Sequence, residues 1–135
     1  MTDLVDLHAR GPEFAAFWTE RRLASLTTIR PDGSPHVVPV GVTLDLDTST
    51  ARVITFAASV KARLVAAAGA AGLTVAVCQF EGRHWSTLEG RAVLRKDAES
   101  VRDAERRYAR RYREPKPNPA RVVLEIPVSR VLGTW

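Results

Sequence analysis

At 135 residues the chain has the size of one domain, long enough to bury a single core and too short for separate cofactor and substrate domains. Its 20 basic and 15 acidic side chains give a net charge of +5, unevenly placed: residues 1–58 carry −2 and residues 59–135 carry +7, so the second half favours anionic partners. No stretch approaches the roughly 20 apolar residues that span a bilayer, and the start, Met1 to Asp6, lacks the basic-then-apolar layout of a secretory signal, so a cytoplasmic protein is expected.

Gly11-Pro12-Glu13 reads as a helix start, with proline pre-set for the first turn and glutamate at the positive end of the helix dipole. Phe14, Phe17 and Trp18 then recur at i, i+3, i+4 and make one buried face. Leu23 to Ile29 is apolar and β-branched, and Pro31-Asp32-Gly33-Ser34 separates it from His36 to Leu44 in a hairpin. A second turn, Asp45 to Thr50, leads into Ala51 to Phe56 and completes an expected antiparallel meander of three strands. Asp45 and Asp47 are explained there by turn chemistry rather than as a catalytic carboxylate pair.

From Ser59 the period changes. Ser59 suits a helix cap, and the Ala-rich run through Ala68 stops at Gly69. Gly72 to Gln79 and His84 to Arg95 read as two strands joined by Phe80-Glu81-Gly82-Arg83. The single cysteine, Cys78, reads as a thiol packed inside the first of them. Asp97 to Tyr112 is the strongest helix, with Val101, Ala104, Tyr108 and Tyr112 on one stripe. Pro115 to Pro119 is an extended linker, and the last strand is expected over Arg121 to Ile126, open to continuing beyond, with Pro127 confining it to an edge or a bulge. Six strands and three helices without βαβ alternation predict a mainly β, α+β domain spanning residues 1–135, a Greek-key-like barrel decorated by helices.

Chemistry of the chain's own is scarce. His8, His36 and His84 form no triad pattern with serine or cysteine and lack close partners at metal-ligand spacing, so neither nucleophilic catalysis nor a metal is expected. Arg102, Arg106, Arg107, Arg110, Arg111 and Arg113 could contact a nucleic-acid backbone, but Asp103 and Glu105 intersperse them and the tyrosines fall on the core stripe rather than as base-stacking platforms. Ser59-Val60-Lys61-Ala62-Arg63 places a hydroxyl, an ammonium and a guanidinium at a strand-to-helix junction, where free N–H groups suit a phosphate; an ordinary capped helix with surface charges is the alternative.

The order of Leu23 to Ile29, Asp32 to Val40, Arg52 to Thr55 and Ser59-Val60-Lys61 resembles the pyridoxamine 5′-phosphate oxidase-like split-barrel superfamily over nearly the whole chain. Arg83 to Ala92, Arg102 to Glu105, Tyr108 to Arg113 and Pro117-Asn118-Pro119 with Arg121-Val122-Val123 are most similar to its coenzyme-F420-dependent branch. The resemblance implies a homodimer with cofactor sites at the interface, the ring lying against Val38, Pro39, Val40, Ile54 and Thr55. It puts Ser59 and Lys61 on the phosphate, with Arg63 assisting, and brings Gln79 and Trp85 near the site. Leu64 stands where the family often has asparagine, so one polar contact is missing. The chain also lacks the longer C-terminal region of true pyridoxamine phosphate oxidases, which counts against vitamin B6 oxidation. The implied activity is hydride transfer from reduced F420 to a conjugated organic acceptor such as biliverdin, with FMN as the alternative cofactor and a non-catalytic flavin-binding module as the alternative role. Arg110, Arg111 and Arg113 are candidates to meet an acidic substrate. The cofactor carries the hydride, so no catalytic side chain is expected.

Overall fold

The computed structural model describes residues 4–135; Met1 to Asp3, part of the start read above as lacking a secretory layout, lie outside the described residues. The chain runs through α1 (Pro12–Thr19), β1 (Ala24–Ile29), β2 (Pro35–Val40), β3 (Thr43–Asp45), β4 (Thr50–Phe56), α2 (Val60–Ala68), β5 (Leu73–Glu81), β6 (His84–Arg95), α3 (Ala98–Arg111) and β7 (Arg121–Thr134). All pairings are antiparallel, in the order β2-β1-β5-β6-β7-β4-β3, which makes a split β-barrel with three α-helices. No helix among the described residues is long and apolar enough to cross a membrane.

Two expectations need correction. There are seven strands, not six, because the run from His36 to Leu44 breaks at Gly41-Val42 into β2 and β3. The three-strand meander is absent for the same reason. β1 and β2 do form a hairpin, with Ile29 opposite Pro35 and Gly33 at φ 87° in its turn. At Gly41-Val42, however, the chain leaves that ladder and crosses to the opposite edge, where β3 pairs with β4 and β4 with β7. The crossing is held from outside the sheet, since the Val42 amide donates to the Tyr112 hydroxyl at 3.0 Å.

Alternation then builds the core. Leu26, Val40, Val53, Val77, Leu88, Leu124 and Ile126 turn inward from six strands and are buried, while Phe14, Phe17 and Trp18 of α1 enter the same cluster. α2 begins as expected: the Ser59 hydroxyl accepts from the Ala62 amide at 3.2 Å, and Gly69 ends the helix. α3 packs on the outer face of β4 and β7, where it buries Ala104 and covers Val123. Asp103 and Arg107 of α3 join Arg52 and Asp45 in an ion network across that seam, with Arg107 3.0 Å from Asp103 and 3.4 Å from Asp45. Asp45 also serves its turn, accepting from the Asp47 amide at 3.0 Å and the Thr48 hydroxyl at 2.8 Å.

The outer face of β2, β1, β5 and β6 has no such cover. Leu23, at 67% exposure, and Phe80, at 72%, stand there with Val37, Trp85 and Leu132. Cys78 belongs to this face too: it is half-buried beside Ser25, so the thiol is not the core packing group that its apolar neighbours suggested. Adjacent residues of a strand point to opposite sides, and Val77 and Gln79 take the interior.

β7 is longer than expected and central rather than an edge, pairing with β4 through its first half and with β6 along most of its length. A bulge does stand in this strand, two residues past the proline: the β6–β7 register shifts between Glu89 and Gly90 and leaves Ser129 without a cross-strand partner, while Pro127 stays opposite Thr50 of β4. Gly90 is required there, because a Cβ on it would lie 2.1 Å from the Pro127 carbonyl oxygen. Gly90→Ala is expected to lower stability by about 1–3 kcal/mol in equilibrium denaturation, and an unchanged midpoint would show that the bulge can open freely.

Candidate functional site

β4 ends at Phe56, and α2 begins four residues later. The turn between them is closed by the Ser59 amide donating to the Phe56 carbonyl at 3.0 Å. Thr55 donates its hydroxyl to Ser59 at 3.0 Å, so both oxygens face the first turn of α2, and both residues are buried. Lys61 follows, half-buried and without a carboxylate partner among the described residues; burial pulls its ammonium below the ordinary lysine pKa. Arg63, one turn on from Ser59, is exposed. A hydroxyl, an ammonium without a carboxylate partner among the described residues, and the positive end of a nine-residue helix could hold a phosphate, and no acid in the first turn opposes it. The donor set fits the phosphate of a flavin-type cofactor.

The other expected contacts separate by strand alternation. Of Val38, Pro39 and Val40, Pro39 faces outward, whereas Val40 is buried in the core and Val38 packs against it. Pro39 lines an apolar cleft of about 360 Å³ with Leu23, Ser25, Val37, Cys78 and Phe80. Trp85 flanks that cleft, cross-strand from Phe80 and exposed. Ile54 points away from Thr55, on the face of β4 that α3 covers. Gln79 is fully buried, its amide nitrogen donating to the Phe17 carbonyl and its oxygen accepting from Arg111. The structure thus brings Thr55, Ser59, Lys61 and Arg63 to one junction and Pro39 and Trp85 to the open face, and keeps Gln79 inside.

The three candidate substrate arginines also part company. Arg110 and Arg113 are exposed. Arg111 is a buried tie rather than a free cation: its guanidinium donates to the Glu20 carbonyl at 2.8 and 3.0 Å, to the Val42 carbonyl at 2.6 Å and to Gln79 Oε1 at 2.9 Å. Every partner is neutral, and burial together with the nearby Arg22 charge pulls its pKa below the ordinary arginine value.

Sequence reasoning missed the apolar outer face. The signal was present in Val37-Val38-Pro39-Val40, a strand apolar on both sides, which indicates cover on both. It also missed Arg21, Arg22 and Tyr108, which line a second, basic cleft with Tyr112 and Arg113.

The family model described as pyridoxamine 5′-phosphate oxidase matches residues 11–135. An F420H2-dependent biliverdin reductase of Mycobacterium tuberculosis is 55% identical over 119 residues, covering 88% of this chain and 84% of that protein. Among solved structures, a conserved hypothetical protein of Mycobacterium tuberculosis superposes with a TM-score of 0.76 at 22% identity, covering 99% of this chain and 88% of its own. An F420 reductase superposes with a TM-score of 0.65 at 19% identity, covering 87% and 94%. At those identities the two structures establish the shared fold.

Replacing the Arg111 guanidinium leaves the Glu20 carbonyl and the Gln79 amide oxygen without this donor and the Val42 carbonyl with only the Tyr112 hydroxyl, 3.1 Å away. Arg111→Met, which keeps the length of the side chain, is expected to lower unfolding free energy by about 2–4 kcal/mol. A loss below about 0.5 kcal/mol would show that these bonds are dispensable.

Proposed function

The chain belongs to the pyridoxamine 5′-phosphate oxidase family, and we propose that within it this protein is an F420-dependent oxidoreductase that reduces a conjugated organic acceptor, with biliverdin as the substrate. The observation that carries the reading is the identity of 55% across 88% of the chain with a protein of that activity. The site's own chemistry supports it. Ser59, Lys61 and Arg63, with the first amides of α2, would hold the cofactor phosphate, and the apolar cleft beside Pro39 and Phe80 would take a flat ring. When bound, the reduced cofactor supplies the hydride. The chain's residues therefore need to position two planar partners and exclude water between them, which apolar walls do.

FMN also carries a phosphate, and the Ser59–Lys61 seat suits either group. What favours F420 beyond the relative is charge: its oligoglutamate tail would meet a half of the chain that carries +7. The basic helix supports small-molecule chemistry better than nucleic-acid binding, since Arg107 is paired with two acids and Arg111 points into the interior. Cytoplasmic work suits a reduced cofactor and a lone thiol.

The direct test mixes protein, reduced F420 and biliverdin anaerobically and follows cofactor oxidation and bilirubin formation together. Both are expected. Oxidation with another enone or quinone but not with biliverdin keeps the reductase and removes the named substrate; tight FMN binding without F420 binding removes the class. Lys61→Ala should weaken F420 binding about ten- to a hundredfold, the worth of one charged hydrogen bond, and Lys61→Arg should retain part of it. An unchanged Kd would move the phosphate elsewhere.

A second copy is the cover we propose for the open face of β1, β2, β5 and β6. Leu23, Val37, Phe80, Trp85 and Leu132 form an apolar surface of the kind that associates, and two-fold pairing is the commonest arrangement. Sedimentation at micromolar concentration should give a dimer, and Phe80→Glu should shift it toward monomer. A wild-type monomer that still binds cofactor fully would overturn the pairing.

A further inference from the structure

The last turn of α3 and the segment entering β1 enclose a cleft of about 470 Å³, lined by Arg21, Arg22, Leu23, Tyr108, Tyr112 and Arg113. Three guanidinium groups line it, and no carboxylate does. Arg22 is neutralised, 2.8 Å from Glu20 and bonded to Glu81. Arg21 and Arg113 are exposed, and neither makes an ion pair or side-chain hydrogen bond among the described residues. The floor is built and stiff. The tyrosine rings lie 4.9 Å apart at 35° and rest on Gly41, where a Cβ would come within 2.8 Å of the Tyr108 ring. The Tyr112 hydroxyl is committed, donating to the Arg22 carbonyl at 2.6 Å and accepting from the Val42 amide. The Tyr108 hydroxyl has no hydrogen-bond partner among the described residues.

Two cations without counter-ions and one uncommitted phenol around a rigid floor form a receptor for carboxylates, which guanidinium groups bind through paired N–H donors. The position names the ligand class. Leu23 lines both this basic cleft and the apolar cleft of Pro39 and Phe80, so the two adjoin at one side chain. A planar conjugated body with acidic arms would lie across both.

We propose that Arg21 and Arg113, with the Tyr108 hydroxyl, bind the carboxylate arms of the acceptor and so select dicarboxylate tetrapyrroles over neutral conjugated compounds. This rests on the reading of the protein as a biliverdin-type reductase and goes beyond it by assigning the specificity-determining residues. Arg113 was among the arginines expected from charge; Arg110 and Arg111 were too, but they line a different pocket, with Trp18 and Thr43.

The test compares biliverdin with its dimethyl ester, which keeps the conjugated body and removes both charges. Affinity is read by absorbance titration without cofactor, and turnover is read separately. Arg21→Ala and Arg113→Ala should each raise the Kd and KM of biliverdin about tenfold while leaving kcat and the Kd of F420 near wild type. The ester should bind the wild type about as weakly as the acid binds the double variant, and should not respond to either substitution. Equal affinity for acid and ester in a wild type that turns biliverdin over would overturn this assignment and leave the reductase standing. Variants that weaken F420 instead of biliverdin would overturn it in favour of the cofactor's own carboxylates. A wild type that binds F420 but neither binds nor reduces biliverdin would remove both readings.

Discussion

The interior guanidinium of Arg111 is the constraint on which the rest of the architecture depends. It comes from the end of α3 and reaches the end of α1 through Glu20, the β2-to-β3 crossing through Val42, and the last residues of β5 through Gln79. Those three places are separate in sequence and lie on a helix end, the link between the two sheet edges and an inner strand. A charge buried among neutral acceptors is costly to desolvate, and it is stable here because it satisfies the helix-end carbonyl of Glu20, the Val42 carbonyl at the crossing and the Gln79 side chain. The same tie decides where function can sit. It presses Tyr112 against Val42 and the tyrosine pair against Gly41, and so builds the floor of the basic cleft.

Much of the fold was legible because it is local. Gly11-Pro12, Ser59 with Gly69, and Asp97 carry helix boundaries by capping chemistry, and Asp32-Gly33 carries the first hairpin. The sheet order was not legible. The run from His36 to Leu44 is mostly apolar, and although Gly41 interrupts it, nothing local says that the chain crosses there to the other edge, since the groups that hold the crossing, Tyr112 and Arg111, lie some 70 residues on. β7 shows the reverse case: Pro127 announced an irregularity, but the bulge stands at Ser129, and Gly90, which leaves room for the Pro127 carbonyl, could be named only once the register was known.

The candidate site divides along the same line. Ser59 and Lys61 sit where helix-start chemistry puts them, which spacing alone can indicate. Pairs such as Ile54 and Thr55, or Val38 and Pro39, are neighbours in sequence but stand on opposite faces of a strand, and a motif read as a block cannot tell them apart. Gln79 and Arg111 looked functional as polar residues near a site, yet each completes the other's hydrogen bonding in the core. Tyr108 looked structural, as part of a helix stripe, and Arg21 drew no attention in the sequence, yet both have uncommitted donors at a cleft among the described residues.

That inversion follows from how this barrel handles charge. The basic second half reads as a reservoir for anions, but several of its cations are used internally: Arg107 on Asp45 and Asp103, Arg121 on Glu105, Arg95 on Glu125, and Arg111 on neutral oxygens. Net charge therefore says little about which residues meet a ligand. A cation free to meet a ligand needs both the lack of an internal partner and a place at a cleft or a helix start, and among the described residues Lys61 at the start of α2 and Arg21 and Arg113 at the basic cleft are candidates on both counts. The two places lie on separate elements, so each can be changed without disturbing the other. Where the cofactor supplies the hydride, as in the proposed reaction, the chain would control it by holding one anionic end of each partner and leaving the apolar face to bring their rings together.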